Sequence, residues 1–360
     1  VRAIAGIAWA ACAAVAVAAD GAPPATAPAE DANAPLPPAV TLAGGQLRID
    51  VLLPTPRAIL PHRYEEPWSH LRFDWSGRVA FAEYKGHTFI GRRRRGPDGH
   101  AAPAYSLGTS EEFRGAPMLS AKGDNPARFL RIGAGVMSRR FEGGKRVSQT
   151  IEPFVWQHEP GPAWVDFRQE VSLPGGWGYR YHKRVALDAN VPCFSIRHHF
   201  VNTGGRELRL EHYCHNWLTI DSRPVEADGR VLLGFEPRGR VDPNVGGILL
   251  TEQQAFAAGR LVRFVPDKLA FKAFFPFEGS FEPQANRVTV ANAAAGAGVT
   301  VFGDWTAHRV AIYREGETLC PESFIRLNLP PGAKREWTAT YVPFAHGPAG
   351  AQAGRAGGSR

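Results

Sequence analysis

Residues 207–217, ELRLEHYCHNW, concentrate groups able to do chemistry. Side chains alternate along a strand. One face of this segment therefore carries Leu208, Leu210, His212 and Cys214, and the other Glu207, Arg209, Glu211, Tyr213, His215 and Trp217. The preceding segment 193–202, CFSIRHHFVN, divides alike, with Phe194, Ile196, His198 and Phe200 opposed to Ser195, Arg197 and His199. The turn Asn202-Thr203-Gly204-Gly205 between them predicts a hairpin. A hairpin would gather Arg197, His199, Arg209, Glu211, Tyr213, His215 and Trp217 on one surface. Interleaved ionisable and aromatic groups suit a sugar, because rings stack on its C–H face and polar groups bond its hydroxyls. One face of an antiparallel sheet also meets water without any function, so the pattern alone leaves both readings open. The same alternation speaks against a metal centre. His212 and His215 point to opposite faces of a strand, as do His198 and His199, and no zinc or iron ligand spacing occurs elsewhere. No metal and no other cofactor is expected.

The elements that would position these groups are strands. Short alternating segments separated by Gly, Pro, Asn or Asp run through the chain, at 47–53, 79–84, 146–156, 179–187, 299–304 and 324–329 besides the two above. Long helical periodicity is hard to find. Many closely spaced strands without intervening helices predict an all-β fold, a large antiparallel sandwich. No internal repeat or Pro-rich break interrupts residues 46–344, so one domain of about 300 residues is expected, large enough to bury a core.

The flanks read differently. Val1 and Arg2 precede the apolar run IAGIAWAACAAVAVAA, which ends at Asp20. Residues 1–19 read as a signal peptide, and the run is too short and Ala-rich for a membrane span. It continues past Cys12, which argues against a lipid-modified cysteine. Export, to the periplasm or medium, is expected. Residues 20–45 read as a Pro/Ala-rich linker and 345–360 as a Gly/Ala tail. Cys193, Cys214 and Cys320 remain after cleavage, an odd number, so the fold is no disulfide scaffold. The formal charge of +8 is spread along the chain apart from Arg92–Arg95. Gly and Pro surround that cluster, and no aromatic interleaving accompanies it. It reads as a solvated loop, and no nucleic-acid partner is expected.

Three stretches resemble the galactose mutarotase-like family, which includes aldose 1-epimerases and hexose-6-phosphate mutarotases. They are HNWLTID at 215–221, RVAIYREGETLCPESFIRLNLPPGAKREWTATY at 309–341 and RFDWSGRVAFAEYKGHTF at 72–89. The resemblance spans nearly all of 46–344 and implies the family's large β-sandwich. It places His215 at the catalytic histidine and Glu322 at the catalytic base. One departure stands out. Aldose 1-epimerases carry an earlier substrate-binding His before two glycines, whereas this chain reads SLGTSEEF at 106–113. Glu111, Glu112 and His100 are the candidates to take its place, and Glu112 is the one carried forward.

Mutarotation needs one acid and one base. The resemblance implies Glu322 as base and His215 as acid, and alternation sets Glu322 with Arg326 and Asn328, opposite Ile325, Leu327 and Leu329. Arg197, Arg209 and Tyr213 would orient a mono- or oligosaccharide, with Trp217 and Trp305 as stacking platforms. Two alternatives stand beside this reading: a non-catalytic carbohydrate-binding protein, and another sugar epimerase or lyase on the same fold.

Overall fold

The computed structural model describes residues 38–54, 74, 76–90, 108–115, 117–121, 126–142, 145–223, 225, 228–236, 255–258, 260–264, 272–315 and 317–345. The readings made for residues 1–37, for Arg92–Arg95, for His100 and for residues 346–360 lie outside them. The described residues are strands and connections. In chain order the first strands are β1 (Ala39–Gly44), β2 (Leu47–Leu52), β3 (Val79–Tyr84), β4 (His87–Ile90), β5 (Thr109–Arg114), β6 (Ala127–Arg131) and β7 (Gly135–Glu142). Then come β8 (Lys145–Pro153), β9 (Gln157–Pro160), β10 (Trp164–Leu173), β11 (Trp177–Leu187), β12 (Phe194–Asn202), β13 (Leu208–Asn216) and β14 (Gly229–Leu233). The last are β15 (Ala255–Ala258), β16 (Leu261–Phe264), β17 (Lys272–Phe281), β18 (Arg287–Asn292), β19 (Ala297–Gly303), β20 (Ala307–Glu315), β21 (Thr318–Leu329) and β22 (Lys334–Ala345). Among the described residues no helix is long and apolar enough to cross a membrane.

Two antiparallel sheets make the body. A ten-stranded sheet runs β15-β16-β14-β18-β19-β22-β12-β11-β10-β9, and a five-stranded sheet runs β17-β20-β21-β13-β5. Their inner faces pack on one another. Phe113 of β5 reaches Tyr181, Phe200 and Trp337 of the larger sheet, with ring centroids 5.5, 5.7 and 6.4 Å apart. Phe113 is almost wholly buried, which stabilises the fold by roughly 1.5–3 kcal/mol relative to an exposed ring. Among the described residues two smaller sheets, β1-β2-β3-β4 and β6-β7-β8, accompany the two larger ones. The period-2 pattern explains these strands: along β12, Phe194, Ile196, His198 and Phe200 are buried while Arg197 is exposed. Cys193, Cys214 and Cys320 form no disulfide among the described residues.

Two expectations need correction. Strand β1 begins at Ala39, inside the stretch read as linker, and it pairs with β2 along its whole length. More consequentially, β12 and β13 do not form a hairpin. Strand β12 pairs with β11 and β22, whereas β13 pairs with β21 and β5. The five residues between them carry the chain across the sandwich, a gap of about 10 Å that five residues can span. The buried side chain of Asn202 fixes this corner. Its amide donates to the carbonyls of Arg206 and Leu329, both at 2.7 Å, and its carbonyl accepts from the Gly204 N–H at 3.0 Å. Both strands have an apolar face, and the corner lets both faces enter the same core.

Candidate functional site

The outer face of the five-stranded sheet carries the candidate chemistry. Registers place Arg114, Glu112 and Ser110 of β5 beside Glu211, Tyr213 and His215 of β13, and Arg209 of β13 beside Asn328 of β21. Glu322, Phe324, Arg326 and Asn328 of β21 follow, then Arg309, Ala311 and Tyr313 of β20. Gly108 makes the entry to β5 possible: its φ is +63°, and a Cβ there would lie 1.9 Å from the Val79 carbonyl oxygen.

His215 and Glu322 meet on this face, with the imidazole Nδ1 in direct contact with a carboxylate oxygen. Both are buried, at 8% and 1% exposure. Trp217 stacks on the imidazole, centroids 5.4 Å apart and planes at 15°, and Tyr313 meets both rings edge-on at 5.7 Å. On its other side, His215 Nε2 lies 3.2 Å from the Tyr213 hydroxyl. That hydroxyl donates to Glu112 Oε2, and Arg131 Nη1 donates to Glu112 Oε1 at 3.3 Å and to the Phe113 carbonyl at 2.8 Å. Phe324 stacks on Tyr213 at 4.4 Å. Glu322, His215, Tyr213, Glu112 and Arg131 thus form one continuous polar chain drawn from four strands.

The structure therefore brings together five residues expected at the site: His215, Glu322, Tyr213, Trp217 and Glu112. Three others stand apart. Arg197 lies on the outer face of the opposite sheet, 62% exposed, and donates to Glu336 at 2.7 Å. The missing hairpin explains this, since Arg197 and His215 belong to different sheets. Arg209 shares the His215 face but sits six residues along β13, about 20 Å away. It is 77% exposed and paired with Glu207. Trp305 is buried in the inner layer, where it lines a cavity of about 20 Å³ with Glu111, His212, Cys214 and Tyr341. That volume holds about one water. Reading the chain by itself missed Tyr313 and Arg131. Alternation along β20 carried a signal for Tyr313, but only once β20 was known to flank β21; no sequence signal pointed Arg131 at Glu112.

Behind β5 and β13, on the inner face, lies a second polar cluster. Lys183 donates to Asp74 at 2.8 Å and to Glu111 at 2.7 Å. His198 Nε2 is 3.0 Å and His212 Nε2 3.5 Å from Glu111 Oε1. Burial acts to raise the Glu111 carboxyl, but Lys183 and His198 outweigh it and hold it well below the usual range. Burial lowers the Lys183 ammonium, yet the two carboxylates leave it raised on balance. Burial pushes His212 down to about 4 and Arg78 down to about 10. His212 is thus less simply placed than its apolar strand neighbours suggest.

Glu111, His198 and His212 offer ligand atoms within 4.8 Å of one another, a convergence across sheets that alternation within one strand does not reveal. The hydrogen bonds do not suit a metal ion. Trp337 Nε1–H donates to His212 Nδ1 at 3.2 Å, so neutral His212 carries its proton on Nε2, facing Glu111. Ligation through Nε2 would move that proton to Nδ1 and set two donors against each other. The Lys183 ammonium on Glu111 would repel the cation further. The cluster is a carboxylate held by N–H donors.

No protein-family model and no curated protein sequence matches the chain. Solved structures do. A galactose mutarotase-related enzyme from Lactobacillus acidophilus aligns with a TM-score of 0.53 at 12% identity, over 85% of this chain and 97% of that one. A galactose mutarotase-like protein from Lactobacillus casei aligns at 0.51 and 11% identity, over 85% and 100%. Another from Clostridium acetobutylicum aligns at 0.51 and 9%, over 86% and 95%. The fold is the galactose mutarotase-like β-sandwich. At these identities the likeness concerns the fold, and the chemistry rests on the residues themselves.

Proposed function

We propose that this galactose mutarotase-like chain is a carbohydrate-active protein that interconverts sugar anomers by acid/base ring opening. The observation that carries the reading is the contact between the Glu322 carboxylate and the His215 imidazole, framed by the Trp217 and Tyr313 rings. The anomeric hydroxyl oxygen and the ring oxygen are both bonded to C1. An acid and a base that serve them must therefore lie close together, as these two do.

In the forward step Glu322 takes the proton from the anomeric hydroxyl. The C1–ring oxygen bond breaks, its electron pair goes to the ring oxygen, and His215 supplies the proton that oxygen needs. C1 becomes an aldehyde, rotates about C1–C2 and is attacked again on its other face as both protons return. The sugar must part the pair on entry, its two oxygens replacing the direct contact. Trp217 offers the apolar platform for the C–H face.

The deep burial of the pair favours one alternative, a binding protein that keeps the face without the chemistry. Proton NMR of anomer exchange across a panel of aldoses decides between them. Exchange faster than the buffer rate, lost in Glu322→Gln, supports the enzyme. Saturable binding with no acceleration for any sugar replaces it with the binding reading. Export is proposed on the apolar run before Asp20, and N-terminal sequencing of the protein from its host beginning at Val1 would refute it.

A further inference from the structure

Strands β13 and β21, which carry His215 and Glu322, are not paired along their whole contact. Regular partners run from Leu208 opposite Leu329 to His212 opposite Ile325. Pairing then lapses and returns at Leu218 opposite Leu319, which exchange both backbone bonds, at 3.1 and 3.0 Å. The register is the same on both sides of the gap, so Asn216 stands opposite Pro321 and His215 opposite Glu322. Backbone-bonded pairs alternate along an antiparallel ladder, so the next such pair after Leu218 and Leu319 is Asn216 and Pro321. A proline has no N–H to give. The Asn216 carbonyl, without that donor, accepts from the Leu218 N–H at 2.7 Å instead. The ladder is thus open beside the reacting pair.

The side chain of Asn216 spans the opening. Its Nδ2 donates to the Pro321 carbonyl at 2.6 Å, and its Oδ1 accepts from the Tyr341 hydroxyl at 2.6 Å. Both residues are buried, and Phe194 stacks on the Tyr341 ring at 4.4 Å. A brace therefore runs from the opposite sheet, through one amide, to the carbonyl immediately before Glu322. Alternation puts this amide on the inner face, away from a sugar on the outer one. We infer that Asn216, braced by Tyr341, is a positioning residue that ties Glu322 to the strand of His215 where Pro321 leaves the backbone unable to. The inference rests on the ring-opening reading for its purpose. In that reaction the sugar parts the two side chains on entry. The open ladder lets them part without breaking a backbone bond, and Asn216 sets how far. A misplacement of about 1 Å is enough to cost about a hundredfold in rate.

Asn216→Leu keeps the size of the side chain and removes both of these bonds. In the full-length protein, kcat for anomer exchange across the aldose panel should fall by about 10–100-fold. KM should change far less, because the outer face is untouched. The decisive variant adds Pro321→Ala, which returns a backbone N–H for the carbonyl of residue 216 and closes the ladder by the other route. Asn216→Leu with Pro321→Ala should therefore be faster than Asn216→Leu alone. A merely structural role would lower the melting temperature of Asn216→Leu and leave its kcat in place. That result overturns the inference, as does a double variant no faster than the single one. If Asn216→Leu does not fold, Tyr341→Phe removes only the hydroxyl and should lower kcat in the same sense; an unchanged kcat there overturns the inference too. Crystal structures without sugar supply a readout independent of activity. The backbones should stand farther apart at His215 and Glu322 in the single variant and close again in the double, with His212–Ile325 and Leu218–Leu319 still paired. An unchanged separation overturns the inference. Absence of anomer exchange in a wild type whose variants show this separation overturns the proposed function and leaves the tie between the strands standing.

Discussion

His198 and His212 come from consecutive strands in opposite sheets, yet their rings lie 5.0 Å apart, flanking the same Glu111 carboxylate oxygen. The corner at Asn202 makes that meeting possible. It also divides the molecule's polar chemistry in two. Alternation on β13 sends His212 inward to Glu111 and His215 outward to Glu322. Alternation on β5 sends Glu111 inward and Glu112 outward. The inner cluster and the outer site are thus the two faces of one strand pair, and whatever fixes β5 against β13 fixes both.

Stability should fall in mild acid because of His212. In the unfolded chain its imidazole titrates near 6.5, and in the fold near about 4. Below pH 6.5 the unfolded state binds a proton that the folded state refuses, so unfolding gains. The loss grows until about pH 4, where folded His212 is protonated too, and amounts to at most about 3 kcal/mol. Glu111, depressed in the fold, adds a loss of the same sign at lower pH. Asp74 is raised, chiefly by burial, and acts in the opposite sense, from its raised value down to about 3.8. Urea unfolding between pH 7 and 5 should therefore show a smaller slope in His212→Gln than in the wild type. Equal slopes would contradict the buried placement.

Lys183→Met should cost about 3–5 kcal/mol, because it leaves Asp74 and Glu111 buried without their cation. Both contacts are short and the ammonium is fully enclosed. Chemical denaturation measures this, and a loss under 1 kcal/mol would show that the two carboxyls do not share one charge.

The architecture was legible in the chain because alternation is local. The segments read at 79–84 and 179–187 became β3 and the core of β11. The pairing of β12 with β13 was not legible. A hairpin and a cross-sheet corner demand the same alternation and the same Gly-rich link, and only the buried amide of Asn202, bonded to β21, distinguishes them. That single ambiguity misplaced Arg197 and hid the approach of His198 to His212. His215 and Glu322 were named from family resemblance and meet in the fold; the polar chain behind them needed the third dimension, because Arg131 reaches Glu112 from another sheet.

Arg197→Ala and Arg209→Ala should each leave stability within about 0.5 kcal/mol, since both arginines are exposed and make surface ion pairs. Sugar affinity and anomer exchange should also hold. Titration of each variant with a sugar the wild type binds tests this. A tenfold loss of affinity in either would mean that the site extends well beyond the His215–Glu322 pair.

The pair itself makes the sharpest contrast. Glu322→Gln keeps the shape of the side chain but cannot accept the anomeric proton, and His215→Asn cannot supply one to the ring oxygen. Each should lower the rate by about 10²–10⁴-fold. Trp217→Ala should behave differently, because a stacking platform holds the sugar but moves no proton. It should chiefly raise KM, with kcat less affected. His212→Asn, two residues before Cys214 and on the inner face, should spare kcat and reduce stability, since it breaks the donation from Trp337 and leaves a mismatched amide beside Glu111. Rates, KM and melting curves measured on the four variants separate the two faces of β13. If His215→Asn unfolds the protein while His212→Asn abolishes turnover in a stable fold, the working face is the inner one. If Glu322→Gln and His215→Asn both retain full turnover, the contact between them does no chemistry, and the outer face is a surface for binding alone.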